Sequence, residues 1–190
     1  MAKFIGLGVV LGLLTATGLS YPGRAFDPSH IDQLVTTGSC PGCDLSNADF
    51  RHANLANADL RGANLMESNL YLTNLEGAML EGANLQGAYL GSTSLKKANL
   101  KGADLQQASI TFANLTDASL EGANLQTAFV TNTDLRAANL TGANLTQAIL
   151  MSTDLRQASL CGAIMPNGLE SRQGCDQQVF LRNLEGQELE

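Results

Sequence analysis

Hydrophobic residues recur at every fifth position over most of this chain. From Leu45 to Leu160 all 24 residues with numbers divisible by five are apolar, and the residue two positions before each of them is small. A period of five matches neither an α-helix, with roughly 3.6 residues per turn, nor a coiled coil, with a repeat of roughly 3.5. It fits short extended segments in which the small and the apolar residue point to one side and the residue between them to the other. Leucine fills all of the apolar positions except three, which are Phe50, Ile110 and Val130.

A second period, of twenty residues, groups these pentads in fours. Glycine suits points where the backbone needs a positive φ or a close approach, so a glycine every twenty residues predicts that the chain returns to the same corner. Four pentads then make one square coil, and the fold class is an all-β solenoid of about six coils from Cys43 to Gly162. Threonines with the same period are expected to be small core residues with satisfied hydroxyls. The periodic residues are Gly62, Gly82, Gly102, Gly122, Gly142 and Gly162, with Thr73, Thr93, Thr133 and Thr153.

The residue between the small and the apolar position is Asn or Asp in 16 of the 24 pentads. We interpret these side chains in one of two ways. They hydrogen-bond to one another along the stack of coils, or they only solvate the outer surface.

The pentads themselves resemble a known family. ADLRG at 58–62 and ANLTG at 138–142 are similar to the A(D/N)LXX consensus of the pentapeptide-repeat proteins, and the resemblance covers about two thirds of the chain. It implies a right-handed quadrilateral β-helix, with the leucine at the centre of each pentad and the alanine two positions before it both pointing inward.

The start of the chain predicts export. Lys3 precedes an apolar run at 4–19, and Gly23 and Ala25 are small residues placed for cleavage before Phe26, so residues 1–25 are expected to be a signal peptide. An uncleaved N-terminal anchor is the alternative. After cleavage no further apolar run remains, so no stable membrane insertion is expected. The predicted location is the periplasm or the thylakoid lumen.

The two ends of the solenoid are expected to be capped, because exposed β edges otherwise pair with other chains. Residues 26–40 are predicted to form an N-terminal cap with a short helix, in which Asp27 is the N-cap, Pro28 opens the helix and Gly38 follows its end. The repeats occupy 41–167. Residues 168–190 form a C-terminal cap or tail that is either a small amphipathic helix or a frayed acidic segment.

Four cysteines flank the repeats. Cys40 and Cys43 are expected to be structural, as thiols or as a disulfide, and a redox role for their CPGC motif is the alternative. Cys161 and Cys175 are near enough in sequence to form a terminal disulfide, whereas Cys43 and Cys161 are too far apart in the solenoid to bond. A zinc site needs two more ligands, so no metal is predicted. The arrangement resembles that of exported pentapeptide-repeat proteins from photosynthetic bacteria.

One face of the solenoid differs from the others. Sorting the pentads in fours gives four walls, and we call residues 48–52, 68–72, 88–92, 108–112, 128–132 and 148–152 the second wall. Its outward and corner positions are largely apolar, and a contiguous apolar strip usually marks an interface. Cover by the tail or the N-terminal helix, and no role at all, are the alternatives. The candidate interface residues are Tyr71, Leu72, Tyr89, Phe112, Phe129, Ile149 and Met151.

These observations favour a non-catalytic structural or interaction protein that binds a protein partner or itself. No catalytic constellation or cofactor site is evident, so an enzyme is not expected. The net charge of −7 disfavours nucleic acid as a partner. Some pentapeptide-repeat proteins mimic DNA and bind type II topoisomerases, which is the alternative that the resemblance implies. Residues 41–162 hold 11 acidic and 7 basic residues, a net charge of only −4.

Overall fold

The computed structural model describes residues 27–175. The predicted signal peptide and the last fifteen residues lie outside the described residues. The elements are one helix, α1 (Pro28–Thr37), and three short strands, β1 (Ser109–Thr111), β2 (Phe129–Thr131) and β3 (Ile149–Met151). The strands form a parallel sheet in the order β1-β2-β3. Among residues 27–175 no helix is long and apolar enough to cross a bilayer.

Parallel backbone bridges account for the rest of the repeat region. They join the middle residues of pentads twenty positions apart, and they fall into four columns. The columns begin with the pairs Ser39–Asp59, Asp44–Asn64, Asp49–Asn69 and Asn54–Asn74. The chain therefore passes over itself every twenty residues as a β-helix, with the predicted short helix ahead of it.

The central apolar residues fill the interior. From Leu45 to Leu145 every one of them is buried, and only Leu150 and Leu155 near the C-terminal end are partly exposed. Burial of one leucine stabilises a fold by roughly 1.5–3 kcal/mol, so this file of side chains supplies a core without tryptophan. The alanines two positions earlier are buried as well, and their small size lets neighbouring walls approach.

The periodic threonines are core residues, as expected. Their hydroxyls donate to backbone carbonyls twenty-three residues earlier, across the corner between the second wall and the next. Within residues 27–175 no buried side-chain nitrogen or oxygen lacks a hydrogen-bond partner. The pairs are Thr73 with Phe50, Thr93 with Leu70, Thr133 with Ile110 and Thr153 with Val130.

Every pentad ends in a left-handed residue. The six periodic glycines have φ between 63° and 70°, as predicted, but non-glycine residues occupy the same conformation at sixteen other corners. Positive φ is thus a property of all corners, and the glycine period alone does not set the size of the coil. The left-handed conformation costs a non-glycine residue roughly 1–2 kcal/mol, which the surrounding coil must offset.

The Asn and Asp residues at the middle positions act mainly within their own pentads. In all sixteen cases the side-chain oxygen accepts a hydrogen bond from the backbone N–H two residues later, as Asn84 does from Gln86 at 3.0 Å. This Asx turn satisfies an amide that faces solvent at the corner. Bonds along the stack also occur, for example from Asn84 Nδ2 to Asn64 Oδ1 at 3.2 Å.

The N-terminal end of the solenoid is covered by α1. Asp27 caps the helix by accepting from the Ser29 N–H, and Gly38 ends it with φ of 70°. Leu34 on its inner side is fully buried in the core. The Asp44 N–H donates to His30 Nδ1 at 3.1 Å, which fixes the helix to the first pentad.

The C-terminal end is closed by the segment that follows the repeats. The Leu160 N–H donates to the Gln173 carbonyl at 2.9 Å, and the Gly162 N–H donates to the Ser171 carbonyl at 2.9 Å. A disulfide joins Cys161 to Cys175 and fastens this segment, and a second disulfide joins Cys40 to Cys43 at the other end.

We predict that Leu105→Ala lowers the free energy of unfolding by about 2–5 kcal/mol, because it opens a cavity in the buried file between Leu85 and Leu125. Urea denaturation followed by circular dichroism measures the change. Gln126→Ala, on the outside of the same wall, is the control and should change the free energy by less than about 0.5 kcal/mol. Equal effects of the two substitutions would contradict the buried position of Leu105.

We predict that the carboxyl of Asp154 titrates far below an ordinary aspartate. Hydrogen bonds from the Arg156 guanidinium, and then from the Arg156 backbone N–H, lower the pKa of Asp154 to about 2. A lowered pKa stabilises the fold above the unfolded value of about 3.9, and this contribution disappears as the pH falls from about 4 to about 2. Carbon-13 NMR titration of the side chain tests this, and a midpoint near 4 would contradict it. Asp154→Asn should remove this part of the pH dependence of unfolding.

Candidate interaction surface on the second wall

The predicted interface residues lie together on one face and are largely exposed. Six of the seven are exposed, and Tyr71 is half-buried. Phe112 is the most exposed of them at 67%. The other exposed large apolar residues among 27–175 are Met79, on the opposite wall, and Leu169, in the C-terminal segment.

The three strands of the protein all belong to this wall. Their register aligns Ser109, Phe129 and Ile149 in one column. None of these three middle residues is Asn or Asp, so the local side-chain acceptor of the Asx turn is absent. The β-branched residues around them favour extended backbone, and the pentads lengthen into three-residue strands. The loss of the amide therefore changes both the chemistry of the wall and its backbone pairing.

An aromatic cluster occupies the N-terminal half of the wall. The rings of Tyr71 and Tyr89 stack with centroids 5.8 Å apart, and His52 meets the edge of Tyr71 at 6.2 Å. Gly91 makes room for both tyrosines, because a Cβ atom there would lie 3.1 Å from Tyr71 Cδ2 and from Tyr89 Cζ. The sequence analysis did not single out Gly91 or His52. The available signal was that no other pentad has glycine directly after its central residue.

The wall is free of charge over most of its length. Residues 86–92, 106–112, 126–132 and 146–152 cover the wall and both of its corners, and they contain no Asp, Glu, Lys, Arg or His. At the N-terminal end the strip is bounded by Asp49 and Arg51, which form an ion pair at 2.6 Å. In a chain with a net charge of −7, this is a surface that another protein can approach without desolvating charges.

Two of the exposed apolar residues hold conformations that disfavour them. Leu72 and Phe112 end their pentads with φ of 57° and 56°. Large side chains are rarely found there, whereas Asn132, in the same column, tolerates it. Because Leu72 and Phe112 are exposed, burial does not offset this cost. Folding stability therefore gives no reason for these residue types, and such outliers often mark function.

The repeats themselves identify the family. A family model described as pentapeptide repeats matches the chain in eight copies, over residues 43–82, 73–111, 113–150 and 131–166. The chain belongs to the pentapeptide-repeat family. Pentapeptide-repeat proteins are generally structural repeat proteins and not catalysts. No curated protein matches the sequence.

Several solved pentapeptide-repeat structures are similar to this chain. One from the thylakoid lumen of Arabidopsis thaliana is 38% identical, over 60% of this chain and 70% of that one, with a TM-score of 0.35. One from the cyanobacterium Cyanothece 51142 is 29% identical, over 70% and 97%, with a TM-score of 0.30. The fluoroquinolone resistance protein QnrB1 is 15% identical, over 80% and 87%, with a TM-score of 0.41.

We predict that Phe112→Asn leaves the free energy of unfolding unchanged or raises it by up to about 1 kcal/mol, because asparagine tolerates the left-handed conformation. The converse substitution Asn132→Phe, at the next corner of the same column, should lower it by about 1 kcal/mol. Urea denaturation of the two variants decides. A loss above about 1 kcal/mol in Phe112→Asn would show that Phe112 belongs to the fold and not to a surface for a partner.

Proposed function

We propose that this protein is a non-catalytic interaction module that presents its second wall to a protein partner. The observation that carries the proposal is the charge-free strip of exposed apolar side chains, two of which occupy conformations that disfavour them. Exposed apolar area of this kind marks interfaces on soluble proteins.

The rigidity of the scaffold supports the same function. Each pentad of the wall is held by backbone bonds to the coils on both sides, as Leu90 is through its N–H to Ser109 at 2.8 Å. Neighbouring coils are spaced by roughly 4.8 Å, so the outward side chains form a fixed ruler. A partner then binds a surface that is already ordered, which lowers the entropic cost of association.

We further propose a right-handed quadrilateral β-helix of about six coils, with coil 1 at 43–62 and coil 6 at 143–162. The four columns of bridges and their spacing of twenty residues support this shape. The division of the chain follows from it, with a cap at 26–40, the repeats at 41–167 and a C-terminal cap or tail at 168–190.

We propose that the protein acts after export, in the periplasm or the thylakoid lumen. The apolar run at 4–19 and the small residues before Phe26 support a signal peptide at 1–25. The two disulfides fit an oxidising compartment.

The charge distribution weighs against mimicry of DNA. Four of the aspartates in the repeats form ion pairs with the arginine two residues later, so their charges are neutralised locally. These pairs are Asp49–Arg51, Asp59–Arg61, Asp134–Arg136 and Asp154–Arg156.

Burial weighs against a redox role for the CPGC motif. Cys40 is fully buried and Cys43 is 4% exposed. Thiol–disulfide exchange requires attack on an accessible sulfur, so a partner thiol has no open path to this disulfide.

Affinity capture from the exported compartment tests the proposed function. The double variant Tyr89→Ser, Phe129→Ser should lose the proteins that the wild type retains, while its unfolding transition stays close to that of the wild type. Leu169→Ser, which removes an exposed leucine outside the second wall, is the control and should retain them. Identical capture by wild type and double variant would contradict an interaction through the second wall.

A further inference from the structure

We propose that the second wall binds a second copy of this chain, face to face and antiparallel, with a twofold axis at Phe112 in coil 4. This inference rests on the proposed function, because it names the partner of the same surface. In this arrangement coil 3 of one copy lies opposite coil 5 of the other, and coil 2 lies opposite coil 6.

The exposed area is sufficient for a specific dimer. Phe112, Phe129 and Tyr89 are exposed by 67%, 47% and 43%. At about 150–250 Å² for a fully covered aromatic side chain, these three present roughly 230–400 Å² per copy. A twofold interface buries this area twice, and Leu72, Ile149 and Met151 add to it. The total reaches the range of about 1,200 Å² at which specific interfaces begin.

Charge selects the antiparallel direction. A parallel pair would place coil 1 against coil 1 and would desolvate the Asp49–Arg51 ion pair of both copies, which is costly. In the antiparallel pair coil 1 projects past the partner's coil 6 and stays in water. Glu67 in coil 2 then lies opposite the partner's Gln147, at the same corner of the wall, where the amide can donate to the carboxylate.

The outward side chains also complement one another in this direction. Residues in the same column face each other across the axis, so Phe112 meets its own counterpart. Tyr89 lies opposite the partner's Phe129, and Tyr71 lies opposite the partner's Met151. Aromatic pairs and sulfur–aromatic contacts are both favourable. Parallel packing would exchange the two edges of the wall and would place Tyr89 against Gly91.

Sedimentation equilibrium of the full-length protein over a range of concentrations tests the dimer. The wild type should dimerise, and Phe112→Asn should raise the dissociation constant about tenfold or more, since each dimer loses two phenylalanines. Leu169→Asn is the matched control, because Leu169 is 66% exposed, and should leave the constant unchanged. A wild type that stays monomeric, or a dimer that Phe112→Asn does not weaken, overturns the inference.

Cysteine cross-linking under mild oxidation tests the direction. Thr111→Cys should cross-link to itself, because it lies near the axis, and chains with Met151→Cys should cross-link to chains with Tyr71→Cys. Cross-linking of Ile149→Cys chains to Met151→Cys chains would show parallel packing and overturn the inference. A monomeric wild type that still captures proteins through Tyr89 and Phe129 would leave the proposed function standing, whereas loss of that capture would contradict both.

Discussion

The parallel backbone ladder between residues twenty apart is the constraint on which the rest of the structure depends. Within one pentad, Leu85 donates to Asp104 at 2.6 Å and Asn84 donates to the Ala63 carbonyl at 2.9 Å, so each segment is bonded to the coil before it and the coil after it. This pairing places every fifth residue over its equivalent in the next coil and stacks the leucines inside. A shift by one residue would turn the leucines outward, so the ladder and the core fix each other.

Each position of the pentad meets one physical demand, and only some of these demands concern the fold. The small residue and the leucine fill the core, the Asn or Asp satisfies an amide, and the last residue turns the corner in the left-handed conformation. The outward side chains are otherwise free. The second wall keeps all of the inward positions and departs from the pattern only on the outside, which is why its apolar residues point to a partner and not to stability.

Much of this structure could be predicted from the sequence because the inward positions repeat without interruption. The buried file, the threonine hydroxyls and the helix between Asp27 and Gly38 follow from periodicity and capping rules. The use of positive φ at every corner could not be predicted from glycines, since Thr127 and Phe112 adopt it too. The role of Gly91 depends on where two tyrosine rings meet in space, and its place in the repeat does not reveal that contact.

Amide hydrogen exchange along the repeat tests the central account most directly. Four of the five amides in an Asx pentad donate to backbone carbonyls, and the amide after the leucine, such as that of Gln86 or Gln126, donates only to a side chain. Exchange should therefore be fastest at this position every five residues, and it should be slow at the equivalent Thr131, which lies in the central strand β2. Fast exchange with no period of five, or uniformly fast exchange of the leucine amides, would contradict the ladder and the fold built on it.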